Sequence, residues 1–554
     1  MKKLIFKSAF VVLVTCYLLP VTCSAQGWEW VKLLQPYDNS SSMGVMVSPK
    51  DGQVYGSGGF NQSLNLGNGH TLSGNSDGFI AQFDTAGLCQ WAQHIYVTTQ
   101  GCGCTVEGNA SGSSVVGFDS GGNLIVVGSF CGCGATFGSG ITSSASGYNL
   151  FLAKYSPAGV CQWVKTKPGS FNPSTGATID DFYGITIDAS DNIYIDMLSY
   201  ATGSTFCGLS FANEGEYFFK VNTNGVGIWN KQIATTTAGY SISQLEYYNK
   251  RIYATPQYVG TVAFGTTTLT AQGSLDVAVA KMDTAGNYLA VSDIGSSGNQ
   301  TAAIGLGVSN ARIVILATTG SPTVAAGTYT VNTGTGMDRS LLVAYDTASI
   351  SPQVARTTAN NSAGTGTALY NDNKGNMYVL ANNSATTDFY NLTGVSAGHH
   401  IIKMDNTLTN YWHLENTNTC VAPDTLGNLY AVDCFSGSDT YGGFTETATN
   451  GITLGKISNA NTTGMEGRMA QTTNMQVYPN PSSSLFNLKL STPIINSNGI
   501  TVSLYDVSGR LLNNIPYTQP DESTLQINLT NYAEGNYLIK AQVDGVLYAA
   551  KLER

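Results

Sequence analysis

The stretch Phe83–Trp91 reads FDTAGLCQW and Tyr155–Trp163 reads YSPAGVCQW, so nine positions keep their size and polarity in two places. Decayed copies follow as VNTNGVGIW at Val221–Trp229, MDTAGNYLA at Met282–Ala290 and MDNTLTNYW at Met404–Trp412. In the first four of these copies a polar residue opens a turn and a glycine stands three residues later. This pattern predicts a type I turn that is closed by a residue at positive φ and joins two antiparallel strands.

A second hairpin is predicted upstream of each copy. Segments such as VVGFDSGGNLIVVGSF and CVAPDTLGNLYAVDCF contain a strand, a polar turn and another strand. Seven such turns recur with a mean step of about 62 residues. They lie near Gly52, Gly122, Asp191, Lys250, Ala311, Gly375 and Gly427. Two hairpins per unit give four strands, so the repeats predict an all-β fold, a seven-bladed β-propeller over residues 26–465.

Tryptophans indicate how such a ring would close. Those in predicted fourth strands are Trp91, Trp163, Trp229 and Trp412. The seventh unit has a third strand, Ile452–Ile457, but no tryptophan strand after it. The segment WEWVKLL places Trp30 in the same context, so we expect this N-terminal strand to complete the seventh unit and cover its open edge. An unrelated N-terminal strand is the alternative.

The repeated pattern GNxYVxGxF…DxFxAKYDxxGxxxW is similar to bacterial repeats described as seven-bladed propeller repeats in secreted proteins. The similarity is good in the first three units and weaker in the other four, and it extends over roughly residues 27–465. It implies a propeller and no particular activity.

Residues 475–554 differ from the repeats and contain short strands of alternating apolar and polar residues. This pattern predicts a small Ig-like β-sandwich after a linker at 466–474. Four motifs stand out in it. They are Pro479-Asn480-Pro481, the turn with Asp506, Gly509 and Arg510, the strand start with Gly535 and Tyr537, and the closing Lys551-Leu552. In their order and spacing these motifs resemble the C-terminal sorting domain of proteins exported by type IX secretion.

That resemblance implies passage through the outer membrane of a Gram-negative bacterium. It also implies two partners, the type IX machinery and a surface sortase-like peptidase that removes the domain. The chain would then be attached to the outer-membrane surface or released. An ordinary terminal sandwich used for adhesion is the alternative reading of residues 475–554.

The first 25 residues predict a signal peptide, with Lys2, Lys3 and Lys7 before an apolar run. A lipoprotein anchored through Cys23 is the alternative. Cleavage would remove three lysines and no acid, taking the formal charge from −10 to −13. Such an acidic chain is unsuited to nucleic acid, and no second apolar run reaches the ~20 residues that span a bilayer.

Nine cysteines follow the predicted signal peptide, and in an oxidising compartment disulfides are the expected use. The candidates are Cys102, Cys104, Cys131, Cys133, Cys420 and Cys434. The two Cys-Gly-Cys pairs are interpreted as a cross-link between neighbouring loops, with a soft metal as the alternative. Cys89 and Cys161 share one repeat position and could be small core residues or partners. The connectivity cannot be deduced from the sequence.

No catalytic, cofactor-binding or metal-binding residue is predicted. Gly74–Gly78 matches G-x-S-x-G but precedes a strand rather than opening a helix, and His399 and His400 are neighbours on one strand, where side chains face opposite ways. The favoured function is therefore a secreted or surface-displayed, non-catalytic binding or adhesion scaffold for a glycan or protein. The alternatives are a polysaccharide lyase or glycoside hydrolase with a funnel active site, and a structural surface-layer component.

Overall fold

The structure is a computed structural model. It describes residues 27–36, 42–97, 114–169, 171–172, 177–178, 180–234, 244–297, 301–327, 329–332, 339–358, 364–372, 374–384, 386–390, 392–415, 420–441, 443–458, 473–490, 494, 500–505, 511–521, 523–543 and 546–554. These residues form strands and turns and contain no helix, so none of them builds an apolar helix of membrane-spanning length.

The strands of the first three units are β1 (Trp28–Pro36), β2 (Ser42–Val47), β3 (Val54–Gly67), β4 (His70–Phe83), β5 (Cys89–Val97), β6 (Ser114–Phe118), β7 (Leu124–Thr136), β8 (Thr142–Tyr155), β9 (Cys161–Pro168), β10 (Phe171–Asn172), β11 (Ala177–Thr178), β12 (Asp181–Ile187), β13 (Ile193–Ser199), β14 (Ser204–Phe206), β15 (Leu209–Phe211), β16 (Gly215–Val221) and β17 (Gly227–Ala234).

The strands of the next four units are β18 (Leu245–Tyr248), β19 (Arg251–Ala254), β20 (Gln257–Tyr258), β21 (Thr261–Phe264), β22 (Thr267–Thr270), β23 (Asp276–Met282), β24 (Tyr288–Gly295), β25 (Thr301–Ser309), β26 (Arg312–Thr319), β27 (Thr323–Ala326), β28 (Tyr329–Asn332), β29 (Arg339–Asp346), β30 (Pro352–Thr357), β31 (Gly364–Asn371), β32 (Asn376–Asn383), β33 (Thr387–Phe389), β34 (Leu392–Val395), β35 (Gly398–Asp405), β36 (Asn410–Glu415), β37 (Cys420–Pro423), β38 (Leu429–Tyr441) and β39 (Phe444–Ile457).

Within the described ranges these strands make seven antiparallel four-stranded arrays, which we call repeat sheets 1 to 7. In order they are β2-β3-β4-β5, β6-β7-β8-β9, β12-β13-β16-β17, β18-β19-β23-β24, β25-β26-β29-β30, β31-β32-β35-β36 and β37-β38-β39-β1. Short pairings of two residues also connect some neighbouring sheets: β1 pairs with β3, β5 with β7 and β24 with β27. These three fourth strands therefore lie against an extension of the next sheet, which covers an otherwise free edge.

The predicted pairing of the N-terminal strand is confirmed. Strand β1 runs antiparallel to β39, with Trp30 opposite Lys456 and Leu34 opposite Ile452. The other tryptophans keep this register, since Trp91, Trp163, Trp229 and Trp412 each stand opposite a third-strand residue of their own sheet. Repeat sheet 7 is thus built from the two ends of the repeat region.

Each of four tryptophans covers a glycine turn of the following sheet. The indole nitrogens of Trp30, Trp91 and Trp163 donate to the carbonyl oxygens of Thr85, Pro157 and Thr223, at 3.1–3.2 Å. A Cβ added to the glycine two residues later would lie 2.6–3.0 Å from the same indole, and Trp229 covers the fourth such glycine. These glycines are Gly87, Gly159, Gly225 and Gly286, all at positive φ. The repeated nine letters therefore encode a contact between sheets, which we call the tryptophan latch.

The first strands also contact one another in sequence. Among the described residues, β2 contacts β6, β6 contacts β12, β12 contacts β18, β18 contacts β25, β25 contacts β31, β31 contacts β37 and β37 contacts β2. Large apolar clusters fill the spaces between adjacent sheets, for example around Phe83 and Val432 and around Ile125 and Phe219. The burial of these side chains is the main stabilising term of the repeat region.

The C-terminal segment forms two further sheets. Its strands are β40 (Thr473–Asn474), β41 (Gln476–Tyr478), β42 (Leu485–Lys489), β43 (Thr501–Tyr505), β44 (Leu511–Asn514), β45 (Tyr517–Asp521), β46 (Thr524–Asn528), β47 (Asn536–Val543) and β48 (Val546–Glu553). They pair in the orders β40-β48-β47-β43-β44 and β41-β42-β46-β45. Both sheets contribute to one core, in which Phe486, Ile527, Ile539 and Tyr548 are buried.

The latch predicts a difference between two glycine substitutions in repeat sheet 2. Gly140 and Gly159 both have positive φ, but only Gly159 lies under an indole. Gly140→Ala should cost about 1 kcal/mol of unfolding free energy from backbone strain, and Gly159→Ala about 1–3 kcal/mol more from the clash with Trp91. Thermal unfolding of both variants measures this, and equal costs would contradict the latch.

Candidate functional site

A cavity of about 1080 Å³ lies among the first strands. All seven first strands, β2, β6, β12, β18, β25, β31 and β37, contribute lining residues. At one register position each of them carries an apolar side chain. These are Val45, Val116, Ile185, Leu245, Leu306, Leu369 and Val421. The cavity walls therefore combine apolar side chains of regular strands with polar groups such as Ser129, Gln244 and Asn371, as in preformed ligand sites.

Glu246 is an acid on strand β18 that lines this cavity. Its position in β18 is next to Leu245, and its carboxylate accepts a hydrogen bond from the amide of Asn371 on β31. The strand between them, β25, carries Gly307 there, and a Cβ at Gly307 would lie 3.2 Å from Cβ of Asn371. Strand β25 therefore places no side chain against Asn371 at this position.

Burial raises the pKa of Glu246 from 4.5 to about 7, and the Asn371 hydrogen bond opposes part of this rise. The residue keeps a partial exposure toward the cavity, so water and solutes reach it. A carboxylate in such a place is half ionised near neutral pH, which suits either proton transfer or the binding of a cation.

Two other acids line the same cavity but are committed to turns. Asp372 Oδ1 accepts the backbone N–H groups of Lys374 and Asn376, both at 2.9 Å. Asp424 Oδ1 does the same for Leu426 and Asn428, both at 2.8 Å. These carboxylates fix the turn between first and second strands, so they contribute charge to the cavity but have fewer free acceptor positions than Glu246.

The sequence reasoning missed Glu246. Its segment, LEYYNKRIYAT, was predicted as a hairpin, but the acid was not placed on the cavity side of the strand. The hairpins of sheets 4 and 5 turn through two residues at positive φ, Asn249-Lys250 and Asn310-Ala311, which shifts their register by one relative to the D-x-x-G-N turns. With that shift, Glu246 aligns with Gly117, Gly307 and Ala422. An acid at a position that is otherwise occupied by small residues is the sequence feature that could have identified Glu246.

The cysteine predictions have mixed outcomes. Cys131 and Cys133 are both disulfide-bonded, as predicted, whereas Cys102 and Cys104 lie outside the described residues. Cys420 and Cys434, the two remaining disulfide candidates, are free thiols and do not bridge each other. The register explains this correction, because Cys420 stands opposite Val432, two residues before Cys434.

The core cysteines are free as well. Cys89 and Cys161 are buried and unbonded, so they serve as small core residues and are not a disulfide pair. Burial raises the pKa of Cys89 to about 12 and that of Cys161 to about 11. Thiols with such pKa values are poor nucleophiles at neutral pH.

The histidines and the G-x-S-x-G segment form no catalytic arrangement in the part of the chain that the structure describes. His94 Nε2 lies 2.8 Å from Asp77 Oδ2, and the two residues lie within the neighbouring strands β5 and β4. His399 is exposed and His400 is buried, so they face opposite ways as predicted. Within the described ranges no group of three His, Cys, Asp or Glu side chains could hold a metal ion.

The sorting motifs converge at one end of the C-terminal sheets. The Asn480 amide donates to the carbonyl oxygen of Lys551 at 3.0 Å, and its oxygen accepts the N–H of Glu553 at 2.8 Å. Gly535 and Arg554 exchange two backbone hydrogen bonds, at 2.9 and 3.0 Å. Pro479 and Pro481 flank Asn480, and Tyr537 is the second residue of β47. The predicted turn of Asp506, Gly509 and Arg510 lies outside the described residues.

Comparison with known families agrees with this geometry. Residues 476–552 match the model of the secretion system C-terminal sorting domain. The chain therefore carries a type IX secretion signal that engages the type IX machinery, and its destination is the cell surface or the extracellular space. The search of curated proteins finds no match.

The Asn480 contacts predict a stability effect on the last strand. Asn480→Ala removes two hydrogen bonds to β48 and should lower its local opening free energy by about 2 kcal/mol, whereas Asn480→Asp keeps the acceptor and should lose about half as much. Hydrogen exchange of residues 546–553 in the full chain measures this. Unchanged exchange in Asn480→Ala would show that these bonds do not hold β48.

Glu246 predicts a pH-dependent effect on stability. Below about pH 4.5 Glu246 is protonated in both the folded and the unfolded chain. As the pH rises toward 7, Glu246 ionises first in the unfolded chain, so the unfolding free energy falls. Above about pH 7 Glu246 is ionised in both states and the unfolding free energy stays constant. Glu246→Gln should therefore be more stable than the parent at pH 8, by at most about 3 kcal/mol, with the difference shrinking toward pH 4. Thermal unfolding across this range tests it. The exposed Glu214→Gln is the control, and an equal pH profile in both variants would contradict the assignment.

Proposed function

We propose that the seven repeat sheets form a closed seven-bladed propeller, displayed outside the cell, that binds a ligand in its central cavity without transforming it. Closure is supported by the cyclic contacts of the first strands and by Trp30, which joins sheet 7 to sheet 1 with the geometry of the latches at Trp91 and Trp163.

The single observation that carries the binding function is the cavity itself. It is lined by all seven first strands, it reaches solvent, and it contains a polar group, Glu246, with no counterion among the ion pairs of the described residues. Regular strands joined by latches hold such a site rigidly, which favours binding because little conformational entropy is lost.

The domain scheme belongs to the same proposal. Residues 1–25 act as the export signal, 26–465 as the displayed domain, 466–474 as the linker and 475–554 as the sorting domain. A surface peptidase removes the sorting domain, and the propeller is attached to a surface lipid or released. The propeller then presents its cavity to extracellular glycans or proteins.

An enzyme is the second candidate, and Glu246 is the observation that favours it. A carboxyl group with a pKa near 7 is partly protonated at neutral pH, and a general acid has to be protonated to donate its proton. A glycoside hydrolase would also need a second carboxylate at a suitable separation, and Asp181, which lines the cavity, is the remaining acid outside the turns.

One experiment separates the two candidates. The full chain is incubated with a panel of polysaccharides and surface proteins. Retention of each panel member by the protein and release of products from it are scored together. Retention without new reducing or unsaturated ends supports the binding protein. Product release that is lost in Glu246→Gln supports the enzyme, and neither retention nor release would overturn both.

Ring closure makes its own prediction. Trp30→Ala and Trp91→Ala remove the same latch at different junctions, so each should lower the unfolding free energy by about 2–4 kcal/mol. A peripheral N-terminal strand would instead make Trp30→Ala nearly neutral. Denaturant unfolding of the two variants in parallel measures the difference.

A further inference from the structure

Glu246 lies in surroundings that favour a partner of opposite charge. Its only identified hydrogen-bond partner is the neutral amide of Asn371, and none of the ion pairs among the described residues includes it. Ionisation of a carboxyl group that is desolvated by burial is unfavourable unless a cation pairs with it. A ligand that carries a positive charge would supply this cation.

The elements packed around β18 bring more acids than bases. Strand β25 contributes no ionisable side chain. The ionisable groups on the other packed or cavity-lining elements are Tyr148 on β8, Asp181 and Tyr183 on β12, Tyr194 and Asp196 on β13, Arg251 and Tyr253 on β19, Tyr370, Asp372 and Lys374 at β31, and Cys420 and Asp424 at β37. Lys374 is exposed at the turn, and Arg251 stands at the first position of β19 beside its turn. The excess of carboxylates raises the local concentration of cations.

We infer that the cavity binds a protonated aliphatic amine, whose ammonium group pairs with the Glu246 carboxylate while its hydrocarbon stem lies against the apolar first strands. An ammonium group offers three donors, and a short alkyl stem suits walls such as Leu245, Leu306 and Leu369. Polyamines and lysine side chains share this chemistry. The inference rests on the proposed central binding site and names the class of its ligand.

The proposal has a defined pH dependence. The ammonium group pairs with the ionised carboxylate, so a proton on Glu246 competes with the ligand. Since burial raises the pKa of Glu246 to about 7, affinity should be about tenfold weaker at pH 6 than at pH 8. Binding at pH 7 should release protons, because pairing with the ligand favours the ionised carboxylate.

The test is calorimetric titration of the full chain with 1,4-diaminobutane, with 1,4-butanediol as the neutral probe of the same length. We expect the diamine to bind, the diol to bind at least tenfold more weakly, and Glu246→Gln to lose at least tenfold in affinity at pH 8 together with the pH dependence. The exposed Glu214→Gln should behave as the parent. A parallel arm with Nα-acetyl-lysine amide distinguishes a free polyamine from a lysine side chain by which of the two binds more tightly.

Three results would overturn the inference: no diamine binding, equal binding of diamine and diol, or unchanged affinity in Glu246→Gln. The pH dependence in the parent chain tests it independently of whether that variant folds. If panel ligands are retained but the amine is not, the amine inference fails alone. If neither is retained, the proposed binding function fails with it.

Discussion

The contact between an indole and a glycine turn is the interaction on which the repeat region depends. A fourth-strand tryptophan such as Trp91 can lie flat over the neighbouring turn only if the turn residue, here Gly159, has no side chain. That residue also has positive φ, which disfavours other amino acids. One position thus satisfies both the turn and the contact in the four hairpins that a tryptophan covers, whereas the corresponding turns of sheets 5 and 6 have Ile350 and Leu408 at positive φ.

Repeated contacts of this kind have a consequence for the interior. Because four of the seven sheets are fixed to the next sheet through a fourth-strand tryptophan, their first strands are brought side by side with little freedom. Val45 and Leu306 line the cavity on these strands and are also part of the apolar clusters between adjacent sheets. Glu246 occupies the next register position, where an acid is destabilising unless it has a partner and where sheets 2 and 5 have Gly117 and Gly307.

The sequence predicted those features that depend on short local patterns of residues. The turn glycines, the register of the tryptophans, the strand at Trp30 and the motif around Asn480 all follow from short patterns whose physical requirements are strict. Glu246 and the free thiols of Cys420 and Cys434 could not be predicted in the same way, because each depends on a one- or two-residue register difference. In a strand such a shift moves a side chain to the other face or past its partner. The Asn480 bonds to β48 join residues that are more than seventy positions apart, and no local pattern encodes such a contact.

The composition of repeat sheet 7 also sets the order in which the molecule can mature. Gly27 and Ser458 are hydrogen-bonded although 431 positions separate them. Synthesis and export both deliver the chain progressively, so β1 exists long before β39 is available to pair with it. The loop that must close between them is long, and contacts of high sequence separation form slowly. Six sheets can thus assemble before the seventh, whose pairing between β1 and β39 forms late in folding.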